Sequence, residues 1–293
     1  MYFESLVMRQ GVVLAIVRLQ GFSSQLDQYE LVSTIGEGSC NPVWLATQRQ
    51  TGMKVALKCM DSAKYQRLTR EQQISEADAM RLCQNNAHVV TLVDEFEQDD
   101  KIYLATKYVQ GGDLLCFMKS LGANALSESL TRTIISQVAK GLHDMHAAGV
   151  VHRDVKHLNI FIKDADTQPT IKIGDFGMAS KLEENQCIEK VAGTVAFMAP
   201  EVVESKPSAF KADVWSLGII LHHLVSAKLP FSGEDRDATI EQILGKELAF
   251  EGAPWNTVHP QCKNLLLGML TKNQNARLSM SQVLQHPWIT GAL

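Results

Sequence analysis

The sequence has no long apolar run. Its longest aliphatic stretch near the N-terminus, Val12 to Val17, is stopped by Arg18. That is far short of the roughly 20 residues that span a bilayer, so stable membrane insertion is not expected. Glu4 and Arg9 precede the stretch and no clear small-residue cleavage site follows, which makes it a poor secretory signal. Residues 1–27 therefore read as an extension ahead of a domain. Basic charge is not in excess. Lys and Arg number 28 against 32 Asp and Glu, a formal charge of −4, which excludes a general attraction to nucleic acid or anionic membrane. No C-x-x-C pair occurs among Cys40, Cys59, Cys83, Cys116, Cys187 and Cys262, and none lies near a His at zinc-ligand spacing. The cysteines read as reduced thiols, mostly core filler, in a cytoplasmic setting. Internal repeats and low-complexity linkers are absent as well.

What is present is an ordinary globular composition, 45% hydrophobic and 20% charged over 293 residues, enough for one large domain or two smaller lobes. The pattern changes near Gly111-Gly112. Before it, β-like runs dominate: Tyr29 to Ile35, Val43 to Thr47, Lys54 to Met60, Val89 to Phe96 and Ile102 to Tyr108. A single helix over about Arg67 to Leu82 interrupts them. After it, helical stretches dominate: Leu114 to Leu121, Leu130 to Ala148, Ala212 to Val225, Thr239 to Leu244, Cys262 to Leu270 and Met280 to Leu284. The fold class is α+β, a mostly β lobe joined by a short connector to a mostly α lobe. A small-molecule cleft between lobes is the expected consequence.

Chemistry enters with Ile35-Gly36-Glu37-Gly38-Ser39-Cys40-Asn41-Pro42-Val43. Glycines two apart between β runs let backbone approach a ligand and turn N–H groups toward phosphate. By itself this is equally the pattern of a hairpin turn. The third glycine of a G-x-G-x-x-G pattern is replaced by Asn41, with Pro42 after it; Asn tolerates positive φ better than other side chains. Downstream, Lys58 ends the apolar run Val55-Ala56-Leu57. It is either a solvated edge lysine or a phosphate ligand held by a carboxylate of the next helix. Glu76 is the choice for that carboxylate and Glu71 the alternative.

The most specific set is Val151-His152-Arg153-Asp154-Val155-Lys156-His157-Leu158-Asn159, then Asp175-Phe176-Gly177, then Gly193-Thr194 and Met198-Ala199-Pro200-Glu201. Any one of these triplets is a loop. All of them in order, with a lysine strand upstream, match the H-R-D-x-x-x-x-N, D-F-G and A-P-E signatures. The chain thus resembles the eukaryotic protein kinase superfamily, over about residues 28–290. Asp213-Val214-Trp215-Ser216-Leu217-Gly218 and Arg277 extend the resemblance.

The resemblance implies a bilobal kinase fold, with an N-lobe over 28–106, a hinge over 107–111 and a C-lobe over 112–290. It implies ATP and Mg²⁺ as cofactors. Lys58 would hold the α- and β-phosphates and Glu76 would hold Lys58. Asn159 and Asp175 would ligate Mg²⁺. Asp154 would orient the substrate hydroxyl, Lys156 would contact the γ-phosphate and Thr194 would contact both. Lys156, two residues after Asp154, resembles serine/threonine rather than tyrosine kinases. Ile35, Gly36, Gly38, Val43 and Ala56 would cover the nucleotide, and Phe161 would form its floor. Backbone of Lys107, Tyr108 and Val109 would bond the adenine edge, Thr106 would be the gatekeeper and Asp113 would bond the ribose. Met80, Leu92, His152 and Phe176 would stack as an apolar spine anchored by Asp213, and Arg277 would pair with Glu201.

Phe161 resembles NIMA-related kinases. Pro254-Trp255-Asn256, Leu270-Thr271 and His286-Pro287-Trp288-Ile289 resemble calcium/calmodulin-dependent kinases, although no calmodulin-binding segment or EF-hand loop is recognised in this chain. Arg153 before Asp154 suits an activation-loop anion. The loop from Met178 to Val195 offers only the hydroxyls Ser180 and Thr194, and Lys190 stands where relatives carry phosphothreonine. The expectation is activity without phosphorylation there, with Glu189 as a partial substitute. Of the three positions that favour basic peptides, Asp113, Leu158 and His223, only one is acidic. An active kinase acting on Ser and Thr of proteins is the leading reading. A nucleotide-binding scaffold is the alternative, because Asn41-Pro42 alters the glycine loop. A kinase for small molecules is disfavoured by the intact A-P-E segment.

Overall fold

A computed structural model describes residues 24–37, 42–122, 125–164, 169–183, 186–188 and 191–292. Residues Gly38 to Asn41, Glu189 and Lys190, on which several expectations fall, lie outside the described residues. The chain divides into two units, Met1–Glu71 with Thr91–Tyr108, and Gln72–Val90 with Val109–Leu293.

The first unit is built on one antiparallel sheet. Its strands are β1 (Tyr29–Glu37), β2 (Pro42–Gln48), β3 (Lys54–Asp61), β4 (Leu92–Gln98) and β5 (Lys101–Lys107), in the order β1-β2-β3-β5-β4. Strand alternation sorts the residues of β3 into two faces. Val55, Leu57 and Cys59 are buried with Tyr29, Ala46, Phe96, Tyr103 and Ala105, and Leu26 packs against this cluster. Tyr29, Phe96 and Tyr103 stack at 5.8 and 4.9 Å. Helix α1 (Ser62–Gln72) follows β3. The Tyr65 hydroxyl donates to Glu95 of β4 and the Ser62 hydroxyl to Glu97, at 2.9 and 2.5 Å.

The single helix expected over 67–82 is two helices. Gln73 takes φ +60, which ends α1, and Ser75 turns extended to cap α2 (Glu76–Leu82), its hydroxyl accepting the Asp78 amide. The strand expected from Val89 begins only at Leu92, because Val90 donates its amide to Ile173 instead.

The second unit is mostly helical: α2, α3 (Leu114–Ser120), α4 (Glu128–Ala147), α5 (Pro200–Val203), α6 (Lys211–Ser226), α7 (Arg236–Gly245), α8 (Ala253–Thr257), α9 (Pro260–Met269), α10 (Met280–Gln285) and α11 (Pro287–Thr290). Two antiparallel strand pairs join them, β6 (Val150–Val151) with β9 (Ser180–Lys181) and β7 (Ile160–Asp164) with β8 (Thr170–Ile173). Helix α4 buries a stripe at Ile134, Ile135, Val138, Leu142 and Met145, the spacing of one helical face. Helix α6 is buried on nearly every side, as its run of apolar residues dictates. Arg277 and Glu201 form a buried two-point pair at 2.7 and 2.8 Å, with the guanidinium over the Trp215 ring at 5.1 Å. No helix of the described residues is long and apolar enough to cross a membrane. The expected α+β class is what the structure has.

Candidate active site

The loop from His152 to Asn159 is held by one buried carboxylate. Asp213, fully buried on α6, accepts the amide of His152 through one oxygen and that of Arg153 through the other, both at 2.9 Å. His146 of α4 adds a contact at 2.8 Å. Burial favours the neutral acid, but His146 and His152 outweigh it and hold Asp213 below the usual carboxylate range. This fixation sustains Arg153 at φ +68, a left-handed backbone that side chains rarely adopt.

Asp154, next in sequence, is surrounded by donors. One oxygen accepts the Thr194 amide and hydroxyl at 3.0 and 2.9 Å. The other accepts Lys156 Nζ at 2.6 Å and Asn159 Nδ2 at 3.2 Å. Lys156 also donates to the Thr194 hydroxyl at 3.0 Å. Gly193 makes this approach possible: at φ +107 its Cα faces the Arg153 carbonyl so closely that a Cβ would lie 2.5 Å from that oxygen. Four expected residues, Asp154, Lys156, Asn159 and Thr194, thus form one network.

Asn159 Nδ2 donates to the Asp154 carbonyl at 2.8 Å as well, which leaves its amide oxygen as the group for a ligand. Its carbonyl accepts the amide of Gly174, the residue before Asp175, at 2.9 Å. Asp175 is exposed, at φ +59. Among the described residues no cluster of three His, Cys, Asp or Glu suits a tightly held metal. One carboxylate and one amide oxygen suit a magnesium ion whose remaining ligands are phosphates and water. The His152 ring lies 5.4 Å from that of Phe176 and both are fully buried, with Met80 nearly so. Leu92, the fourth expected spine member, is half-buried in the first unit.

Phe161 and Asp113 are joined by a bridge between β7 and the turn before α3, flanked by Gly111 N to Ile162 O and Ile162 N to Gly112 O, both 2.9 Å. Asp113 caps α3 by accepting the Cys116 amide at 2.9 Å. In the first unit, register sets Gly36 opposite Val43, Val43 opposite Lys58, and Ala56 opposite Thr106. Directly opposed residues share a face, so these side chains lie together on the sheet face away from the buried cluster. Ile35 sits at an irregularity of β1, 39% exposed. Of the connector amides, Lys107 donates to Thr91 O and Tyr108 to Lys54 O. Those two are used inside the fold, which narrows the expected adenine-edge donors to Val109. Glu76 is buried at the first position of α2. Glu71 is exposed on α1 beside Arg67 at 4.0 Å. Of the two candidate carboxylates, burial favours Glu76.

Three contacts had no local signal. The Arg153 guanidinium reaches the Ser180 hydroxyl at 2.9 Å, Gln72 reaches the Gly177 carbonyl at 2.8 Å, and His157 meets His223 at 2.9 Å. Burial and the neighbouring His223 push His157 down to about 3, and burial lowers His223 too. The pair is neutral at pH 7, beside the exposed Leu158.

The ordered loop, its carboxylate and the intact A-P-E pairing define a protein kinase. A family model for the protein kinase domain matches residues 29–289, and the chain belongs to that family. It is 32% identical over 264 residues to human serine/threonine-protein kinase H1, covering 89% of this chain and 61% of the relative. It is 32% identical over 266 residues to the calcium/calmodulin-dependent protein kinase type II alpha chain of Drosophila melanogaster, covering 90% and 49%. With serine/threonine-protein kinase ATG1a of Arabidopsis thaliana it shares 31% over 262 residues, covering 89% and 41%. The chain thus spans about two fifths to three fifths of the length of these relatives.

Proposed function

We propose that this chain transfers the γ-phosphoryl group of ATP, with Mg²⁺, to Ser and Thr hydroxyls of proteins. The observation that carries the reading is the closed network of Asp154, Lys156, Asn159 and Thr194. Phosphoryl transfer needs positioning and charge stabilisation more than covalent chemistry, and this network supplies both. The substrate hydroxyl takes the place of one donor on Asp154, which orients it for attack. Lys156, already at hand, meets the developing charge on the transferred group. Asn159 and Asp175 offer oxygens to magnesium, which neutralises phosphate charge when bound. Lys58 and Glu76 serve the nucleotide phosphates. Contacts to the base are assigned to Ile35, Gly36, Gly38, Val43, Ala56, Phe161, Val109 and the Lys107 carbonyl, with Thr106 as the gatekeeper and Asp113 for the ribose.

Residues 28–290 are the catalytic domain in this reading, and the compartment is cytoplasmic. Free cysteines at Cys59, Cys83, Cys116, Cys187 and Cys262 support that compartment. Activation-loop phosphorylation is not required. The Ser180 hydroxyl bonded to Arg153 supports this, since the guanidinium that would receive a phosphate has an internal partner. The neutral His157–His223 pair and Leu158 support weak selection for basic residues in the peptide.

The test is transfer from Mg-ATP to a mixed Ser/Thr peptide library, beside Asp154→Asn and Lys58→Met. Turnover within ~1–100 s⁻¹, lost by ~10²–10⁴-fold in Asp154→Asn, is expected. ATP binding by thermal shift without transfer by the wild type would overturn the reading in favour of a nucleotide-binding scaffold.

A further inference from the structure

Asp175 keeps a left-handed backbone at φ +59 with a side chain that does not favour it. Such a residue persists only where its surroundings over-determine it. Before it, Gly174 is held at both ends: its amide donates to Asn159 O at 2.9 Å and its carbonyl accepts His152 Nε2 at 3.0 Å. After it, the Gly177 carbonyl accepts the side-chain amide of Gln72 at 2.8 Å, from 105 residues away. A carbonyl can only accept, so the NH₂ group of Gln72 must face it.

Gln72 is 6% exposed. A buried primary amide that lost its partner would destabilise the site, so the bond is a constraint and not an incidental contact. Its own position is fixed by Gln73, whose φ of +60 ends α1 at Gln72. The helix break that divides α1 from α2 therefore directs Gln72 at the turn following Asp175 and Phe176.

We propose that Gln72 is a positioning residue for phosphoryl transfer. By holding Gly177 it keeps Asp175 in the backbone conformation from which its carboxylate meets magnesium. The proposal rests on the reading of Asp175 as a magnesium ligand. Without the bond, the turn that follows Asp175 loses its restraint from Gln72, although the Phe176 carbonyl still accepts the Ala179 amide at 3.0 Å, and the left-handed state loses population. The consequence falls on the metal and on turnover, not on the protein substrate.

The experiment titrates Mg²⁺ at saturating ATP and peptide with the full chain. It compares wild type, Gln72→Met, which keeps the volume without a donor, and Gln137→Met. Gln137 makes an equivalent amide-to-carbonyl bond, to Pro169 O at 2.8 Å, and serves as the control. A net hydrogen bond corresponds to about three- to tenfold in population. Gln72→Met should raise half-saturating Mg²⁺ and lower kcat by about that factor, with peptide KM unchanged and Gln137→Met like wild type. An unchanged Mg²⁺ requirement in Gln72→Met, or an equal change in Gln137→Met, would overturn the proposal. If Gln72→Met melts below the assay temperature, Gln72→Glu carries the same test, since a carboxylate cannot donate to the carbonyl. Asp175→Ala separates the two readings. It should abolish transfer; retained transfer in Asp175→Ala removes the magnesium role itself, whatever Gln72 does.

Discussion

The two units build their cores from different material. The first buries an apolar cluster with two tyrosines beneath its sheet, and the candidate residues Val43, Ala56, Lys58 and Thr106 fall on the opposite face by strand alternation. The second buries ionisable groups: Asp213, Arg277, Glu201, Asp154, His152, His157 and His222 are all below 9% exposed. All nine histidines of the chain lie in it. The difference teaches that a sheet can present functional side chains through period two alone. An irregular loop must be pinned by long-range polar bonds, and those bonds carry the cost of buried charge.

That contrast has sharp consequences. The largest concerns Arg277, whose removal leaves Glu201 as a buried, unpaired charge. Arg277→Met should cost about 3–5 kcal/mol of unfolding free energy in urea titrations. Less than about 1 kcal/mol would mean that the pair adds little and that the second core is held as the first is. Next comes Leu57→Ala, at the centre of the apolar cluster and fully buried. It should cost about 3 kcal/mol, the usual scale of a buried Leu truncation, and by the same amount at pH 7 and pH 5.

The smallest expected effect per residue is the acid sensitivity of the second unit. Burial pushes His157 to about 3 and His222 to about 4. The folded chain thus refuses protons that the unfolded chain binds below about 6.5, the ordinary histidine value. Their share of stability is intact above that pH and falls as pH drops toward the folded values. Between pH 7 and pH 5 each should lose about 2 kcal/mol. Urea titrations at the two pH values check this, and His157→Gln and His222→Gln should each flatten the difference. A wild type equally stable at both pH values would remove the contrast between units.

Legibility in the sequence followed the same division. The strands of the sheet were readable from their apolar runs, whereas whether Lys58 faced solvent or a ligand stayed open, because strand spacing sets which residues share a face and not what that face meets. The catalytic loop was readable for another reason: its chemistry needs fixed residue types at fixed spacing. The break at Gln73 carried no Gly or Pro to announce it. Only Ser75, three residues before Asp78, signalled a new helix start, and a continuous helix fitted the apolar spacing equally well. The bonds of Gln72 to Gly177 and of Arg153 to Ser180 were not legible, because the partners are distant in sequence and close only after folding. The bonds from the Lys107 and Tyr108 amides to Thr91 O and Lys54 O were not legible for a related reason, since strand pairing sets them.

If Asp154 orients a substrate hydroxyl as proposed, the donors around it bear on a competing reaction, transfer to water. A carboxylate has about four acceptor positions. Here Thr194 N, Thr194 Oγ1, Lys156 Nζ and Asn159 Nδ2 occupy them. Any hydroxyl that uses Asp154 must first displace one. A protein substrate can do so with binding energy from contacts remote from its hydroxyl. A water molecule brings none. On the proposed function, the full coordination of this one carboxylate would bias the site against transfer to water and toward transfer to a protein hydroxyl.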